Sequence, residues 1–128
     1  MIDWILDFNK AATMADVTGM PILALFTTDW CEWCLILEKN VLRHPDVAAW
    51  AEGRVLPARM VFSEKDKHSD MAKLNRGLKD AFEVNGYPTA LLISSKDKVL
   101  SSLGEIENAL YPEDFIKSAE EILAKNGI

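Results

Sequence analysis

A chain of 128 residues, 49 % of them apolar, is long enough for one domain with its own core and needs no disulfide staples or metals to hold it. The formal net charge of −6 argues against nucleic acid as a partner, because binding a phosphate backbone requires a basic patch. The longest apolar run, Met20 to Phe26 with Pro21 inside it, falls far short of the roughly 20 residues of a bilayer span, so no membrane insertion is expected.

The opening Met1-Ile2-Asp3-Trp4-Ile5-Leu6-Asp7 shows no basic start, apolar stretch or small-residue cleavage site. The chain as it stands reads as cytoplasmic, and as periplasmic or secreted if Met1 stands where a signal peptide was removed. From Asp3 to Val17, Trp4, Ile5, Phe8, Ala11, Ala12 and Ala15 recur at three- and four-residue spacing, which predicts an amphipathic helix ended by Gly19. Ile22 to Phe26 is short and wholly apolar and predicts a strand buried on both faces. A second helix opens near Cys31, with Cys34, Leu35, Leu37, Val41 and Leu42 on its buried side, until Pro45 breaks it; Asp46 to Ala51 adds a turn or two.

Arg54 to Phe62 predicts the next strand, weakened at Pro57. A third helix starts at about Ser69 and keeps Met71, Leu74, Leu78, Ala81 and Phe82 on one face. Asn85-Gly86 signals a turn, after which Thr89 to Ile93 and Lys98 to Leu103 predict a β-hairpin. Pro112 opens a last helix, with Phe115, Ile116, Ala119, Ile122 and Leu123 inward and Asn126-Gly127 at its end. The expected fold is α/β: one domain over residues 1–128, a mixed four-stranded sheet flanked by helices, with an N-terminal helix in place of a first strand.

The chain has two cysteines, Cys31 and Cys34, in Asp29-Trp30-Cys31-Glu32-Trp33-Cys34. A disulfide exchanger needs one accessible thiolate to attack and a second thiol near enough to resolve the mixed disulfide, and two intervening residues at a helix start supply that spacing. The free N–H groups there favour Cys31 as nucleophile and Cys34 as resolver. Asp29 and Glu32 flank the motif and are expected to work against ionisation of Cys31. The competing readings are two plain core cysteines or half of a zinc site, for which only His44 and His68 remain, at spacings that match no common finger.

The segment Ile22 to Cys34, the helix after it and Gly86-Tyr87-Pro88-Thr89 together resemble the thioredoxin superfamily over nearly the whole chain. The closer resemblance is to small single-domain members whose Trp-Cys-x-x-Cys motif leads into a helix with Leu-Glu and a Pro-Asp-Val continuation, as in Trp30 to Val47. The resemblance implies that Pro88 is a cis-proline packed against the motif, and that Tyr87 pairs its backbone with the substrate chain. With Tyr87 and Pro88, Trp30 and Trp33 are the candidate substrate surface, although an aromatic beside a buried helix is at least as often packing, and of the two indoles a surface role is favoured for Trp33. The resemblance implies a thiol-disulfide oxidoreductase acting on protein disulfides or dithiols with an upstream redox partner; a monomer without cofactor or metal is expected, and reduction is the preferred direction, with oxidation or isomerisation open to the same residues. The alternative is a redox-silent binding module that holds a client near Trp33 and Tyr87. Two departures stand out. Leu25 occupies the place of a buried Asp that assists proton transfer from the resolving thiol, leaving Glu32 or Arg59 as weak substitutes, and Glu32-Trp33 is not one of the familiar dipeptides between the cysteines.

His44 and His68 read as polar helix-end residues, Trp4 and Trp50 as packing, Glu64 to Lys67 as a solvated loop, and Arg59 as an outward-pointing strand residue.

Overall fold

A computed structural model covers residues Met1–Ile128. Its central sheet has three strands in the order β2-β1-β3, with β1 at Ile22–Thr28, β2 at Leu56–Phe62 and β3 at Thr89–Ile93. β1 runs parallel to β2 and antiparallel to β3, so the sheet is mixed. Because successive strand side chains point to opposite faces, Leu23 and Leu25 of β1 join one apolar cluster while Ile22, Ala24 and Phe26 join the other. Both faces are therefore buried, which is why the strand reads as an unbroken apolar run.

The helices divide between these faces. α1 (Phe8–Thr18) and α4 (Asp70–Ala81) cover one; α2 (Glu32–Leu37), a π-helical segment (Glu38–Leu42), α3 (Pro45–Arg54) and α5 (Pro112–Lys125) cover the other. Pro45 does not merely end a helix but starts one. His44 is its N-cap, with Nδ1 accepting from the N–H of Asp46 at 3.1 Å. The predicted brief turn at 46–51 is thus a ten-residue helix that runs to Arg54. It takes Arg54 out of the expected strand; Arg54 binds Glu120 of α5 through two nitrogens, at 2.7 and 2.9 Å.

Several expectations need correction. The N-terminal helix begins at Phe8, not Asp3, because Asp7 caps it by accepting from the N–H of Asn9. Before it, Ile5 lies against the outer edge of β2 as a one-residue parallel bridge: its N–H donates to Pro57 O at 2.8 Å and its carbonyl accepts from Arg59 N at 2.9 Å. A remnant of a first strand is present beside the helix that was expected to replace it. Pro57 faces this outer edge, so its missing N–H takes nothing from the β1–β2 ladder. Leu35 is exposed rather than inward, and on α4 Met71 and Ala81 are exposed while Asn75 is buried.

The fourth strand does not form. The hairpin starts, with Leu100 N donating to Leu92 O at 2.8 Å and a single bridge between Ile93 and Val99. It then departs, because side chains take over the acceptor positions along β3. Ser101 Oγ accepts from Leu92 N at 2.9 Å, and Glu107 Oε2 accepts from Ala90 N at 3.3 Å. The backbone leaves through a turn at Gly104, whose φ of +89° suits glycine, and the loop turns Ile106 fully into the core. The edge is satisfied without a fourth ladder, which is what a buried edge requires.

Candidate active site

The site stands where β1 gives way to α2. Thr28, the last residue of β1 and itself buried, turns its Oγ1 back to accept from Cys31 N at 2.9 Å and from Trp30 N at 3.3 Å. This fixes the chain's exit from the sheet and delivers Cys31 as the N-cap of α2. The Cys31 Sγ takes the place that a Ser or Asp oxygen holds in a common cap, accepting from Cys34 N at 3.2 Å. Cys34 lies one turn in and is buried, only 4 % exposed, whereas Cys31 is partly open. Both thiols are free, so the pair is described in its reduced form.

Tyr87 and Pro88 come from the loop before β3, and the peptide bond between them is cis. The Cys31 thiol lies 3.7 Å from the Tyr87 carbonyl oxygen and donates to it. The Tyr87 ring packs against Phe62 and meets the Trp30 ring edge-on. Trp30 and Trp33 are 58 % and 66 % exposed, too open for core packing, so both indoles form the surface around Cys31. Two grooves flank this ridge and share Tyr87. One, of about 370 Å³, is lined by Trp33, Ile36, Tyr87, Pro88 and Leu110; the other, of about 440 Å³, by Trp30, Phe62, Lys67, His68 and Arg76.

The Cys31 thiol is pushed above its ordinary value of 9.0, first by burial and then by the neighbouring Cys34 thiol, and backbone N–H groups of the helix start only partly offset this. The raising causes are burial and Cys34, not the flanking carboxylates that the sequence pointed to. Asp29 is engaged elsewhere, accepting from Ser63 Oγ at 2.7 Å, and neither it nor Glu32 contributes to the shift. Burial likewise raises Tyr87. No group of three or more His, Cys, Asp or Glu side chains is gathered as a metal site, and His44 is committed to its helix cap.

Leu25, at the place where an acid was missed, is buried in the core and stands directly beside Arg59 in the β1–β2 register. Arg59 does not point outward as expected. Its guanidinium lies over the Trp4 ring at 5.4 Å and reaches toward Glu38 at 3.8 Å. The sequence reading also passed over Thr28, Glu38, Glu107 and Leu110. Thr28 had a usable signal, a hydroxyl residue three positions before the motif cysteine; the other three depend on the π-helical turn and the irregular loop, which have no periodicity to read.

A mixed sheet covered by helices, with a Cys-x-x-Cys pair capping the helix that follows the central strand and a Tyr-Pro loop against it, is a thioredoxin fold carrying a dithiol site. The thioredoxin-like family model matches residues 3–95, and the chain belongs to that family. It is similar to the thioredoxin-related protein DsbJ of Chlamydia pneumoniae, 24 % identical over 109 residues, which is 84 % of this chain and 31 % of the relative. It is also similar to the disulfide bond reductase DsbH of Chlamydia pneumoniae, 27 % identical over 86 residues, 66 % of this chain and 52 % of the relative. The chain thus spans about half or less of the length of these relatives. Among solved structures, a DsbH oxidoreductase superposes with a TM-score of 0.83 at 19 % identity, over 96 % of this chain and 85 % of that one. No helix here is long and apolar enough to cross a membrane.

Proposed function

We propose that this protein is a thiol-disulfide oxidoreductase that reduces protein disulfides by cycling Cys31 and Cys34 between dithiol and disulfide. The observation that carries the reading is the pair's geometry: a partly open Cys31 at the helix cap, its sulfur bonded to Cys34 N, with Cys34 buried one turn behind it. In the first step Cys31 attacks one sulfur of the substrate disulfide and releases the other as a thiol. In the second, Cys34 attacks Cys31 Sγ, the Cys31–substrate bond breaks, and the substrate leaves reduced while the pair is left oxidised.

The raised Cys31 thiol supports the reducing direction. Oxidants of this chemistry draw their driving force from a stabilised reduced state with an acidic nucleophile, and here burial destabilises the thiolate instead. The relatives' names, one a disulfide bond reductase, agree with that direction. The two grooves on either side of Tyr87 suit an extended client segment that crosses the ridge, with its backbone on Tyr87 and its side chains to either side. Trp30, Trp33 and Pro88 would then contact the client, and an upstream dithiol partner would return the pair to the reduced state.

The test is the equilibrium reduction potential of the pair in glutathione or dithiothreitol buffers, read by thiol alkylation. A value near that of thioredoxin, about −270 mV, supports the reductase, and one near −120 mV overturns the direction. A pair that cannot be cycled without unfolding the protein overturns the catalytic reading as a whole.

A further inference from the structure

The second step of the proposed cycle has an unmet need. Cys34 is buried, and its thiol must lose a proton as it attacks, yet Leu25, which joins the apolar cluster under α2 from β1, offers only hydrocarbon. Resting on the oxidoreductase reading, we infer that Glu38 is the base that takes the Cys34 proton, with Arg59 as its positioning residue.

Glu38 N donates to Cys34 O, so Glu38 follows Cys34 by one turn on the same helical face, where side chains four apart stand about 5–6 Å from one another at Cβ. Its side chain is only 23 % exposed although it is charged. Two cations face it. Arg43, just after the π-helical segment, is 3.4 Å away and largely in solvent; Arg59 reaches it from β2 at 3.8 Å. α3 and α5 meet this segment through apolar side chains. Arg59 has a buried Nε with no partner and is pinned by Trp4, so it is a fixed charge beside Leu25 whose one carboxylate neighbour is Glu38. Both contacts exceed the 2.7–2.9 Å of a tight charge-assisted bond. The carboxylate is thus held one helical turn from Cys34 without being locked, and the transfer we infer runs through one water.

The step balances. A bond forms between Cys34 Sγ and Cys31 Sγ, the bond from Cys31 Sγ to the client sulfur breaks, and its electron pair leaves with that sulfur. The Cys34 proton passes to the Glu38 carboxylate, and solvent protonates the released thiolate.

The experiment oxidises the reduced full chain with glutathione disulfide, quenches with acid and follows the glutathione adduct by intact mass. At high glutathione disulfide the rate of adduct loss becomes independent of concentration and reports resolution by Cys34. Glu38→Gln is expected to slow resolution about tenfold or more while leaving adduct formation within about twofold. Its resolution rate should also climb with every unit of pH from 5 to 9, where the wild type is flatter. Should Glu38→Gln not fold, Glu38→Asp is read in the same way and should lie between the two. A resolution rate and pH slope equal to wild type overturn the inference, as does an equal loss in both steps, which marks a structural residue. Failure of the wild type to form any adduct instead overturns the oxidoreductase reading itself.

Discussion

Thr28→Val tests whether the geometry of the site is set by one hydroxyl. The substitution keeps the shape of a buried β-branched side chain and removes only the oxygen that accepts from Cys31 N and Trp30 N. The longer bond, at 3.3 Å to an exposed residue, is weak, and water can replace it. The shorter one, at 2.9 Å, leaves a partly buried N–H without a partner, at a cost of about 1–2 kcal/mol. For a domain of this size that amounts to a fall in Tm of roughly 3–10 °C. Urea denaturation of the reduced protein should show a lower midpoint with an unchanged slope, and Thr28→Ser should restore most of it. Because Cys31 loses its anchor to the sheet, its alkylation rate by iodoacetamide should change in the Val variant and not in the Ser variant. A Val variant as stable as wild type, with Cys31 equally reactive, refutes the reasoning.

Ile106→Ala should destabilise the fold by about 2–4 kcal/mol, since this loop side chain is fully buried in the larger core cluster; a loss below about 1 kcal/mol in denaturant titration means the loop only rests on the surface. The alkylation rate of Cys31 should keep rising as pH passes 9.0, because its thiol is raised above that value by burial and by Cys34; a plateau reached below that pH contradicts the assignment. The sign for stability follows: the folded state holds this proton more tightly than the unfolded chain, so the contribution is present at neutral pH and lost as pH rises through the folded value. Glu120→Gln should cost up to about 1 kcal/mol at neutral pH, since the carboxylate that binds Arg54 and the Trp50 indole is 40 % exposed and screened. Arg54 and Trp50 hold the Glu120 carboxyl below its ordinary 4.5, so the difference between wild type and variant should close as pH falls below that value.

Much of this architecture was legible in the sequence because it rests on periodicity and caps. β1 was readable from its unbroken apolar run, α5 from Pro112 and the spacing of Phe115, Ala119 and Ile122, and the dithiol site from two cysteines after a buried strand. What failed were places where a side chain substitutes for backbone. Ser101 and Glu107 end a hairpin that Lys98 to Leu103 is long enough to complete, and no pattern of apolar residues reports that a hydroxyl will occupy a ladder position. Asp7 shortens the first helix in the same manner. Arg59 was misjudged because strand alternation predicts a face but not the aromatic shelf of Trp4 that makes a half-buried guanidinium tolerable.

The raised Cys31 thiol and the proposed role of Glu38 bear on the same balance. Each unit of upward shift removes tenfold of the thiolate at neutral pH, whereas the nucleophilicity of the remaining thiolate rises only about threefold, so attack on a client disulfide slows. In the oxidising direction a client must expel Cys31 as leaving group, and a less acidic thiol leaves more slowly. In the reduction of a client Cys31 is not the leaving group; it leaves only when the upstream dithiol restores the pair. The client sulfur departs, and the remaining demand is the proton on buried Cys34. On the proposed reading, a base one turn further along the helix answers that demand without lowering the Cys31 thiol, so a reducing pair would still resolve quickly. If a Glu38→Gln variant proves to have an unchanged reduction potential together with slowed resolution, the two functions are separable: burial around Cys31 sets direction, and the carboxylate sets speed.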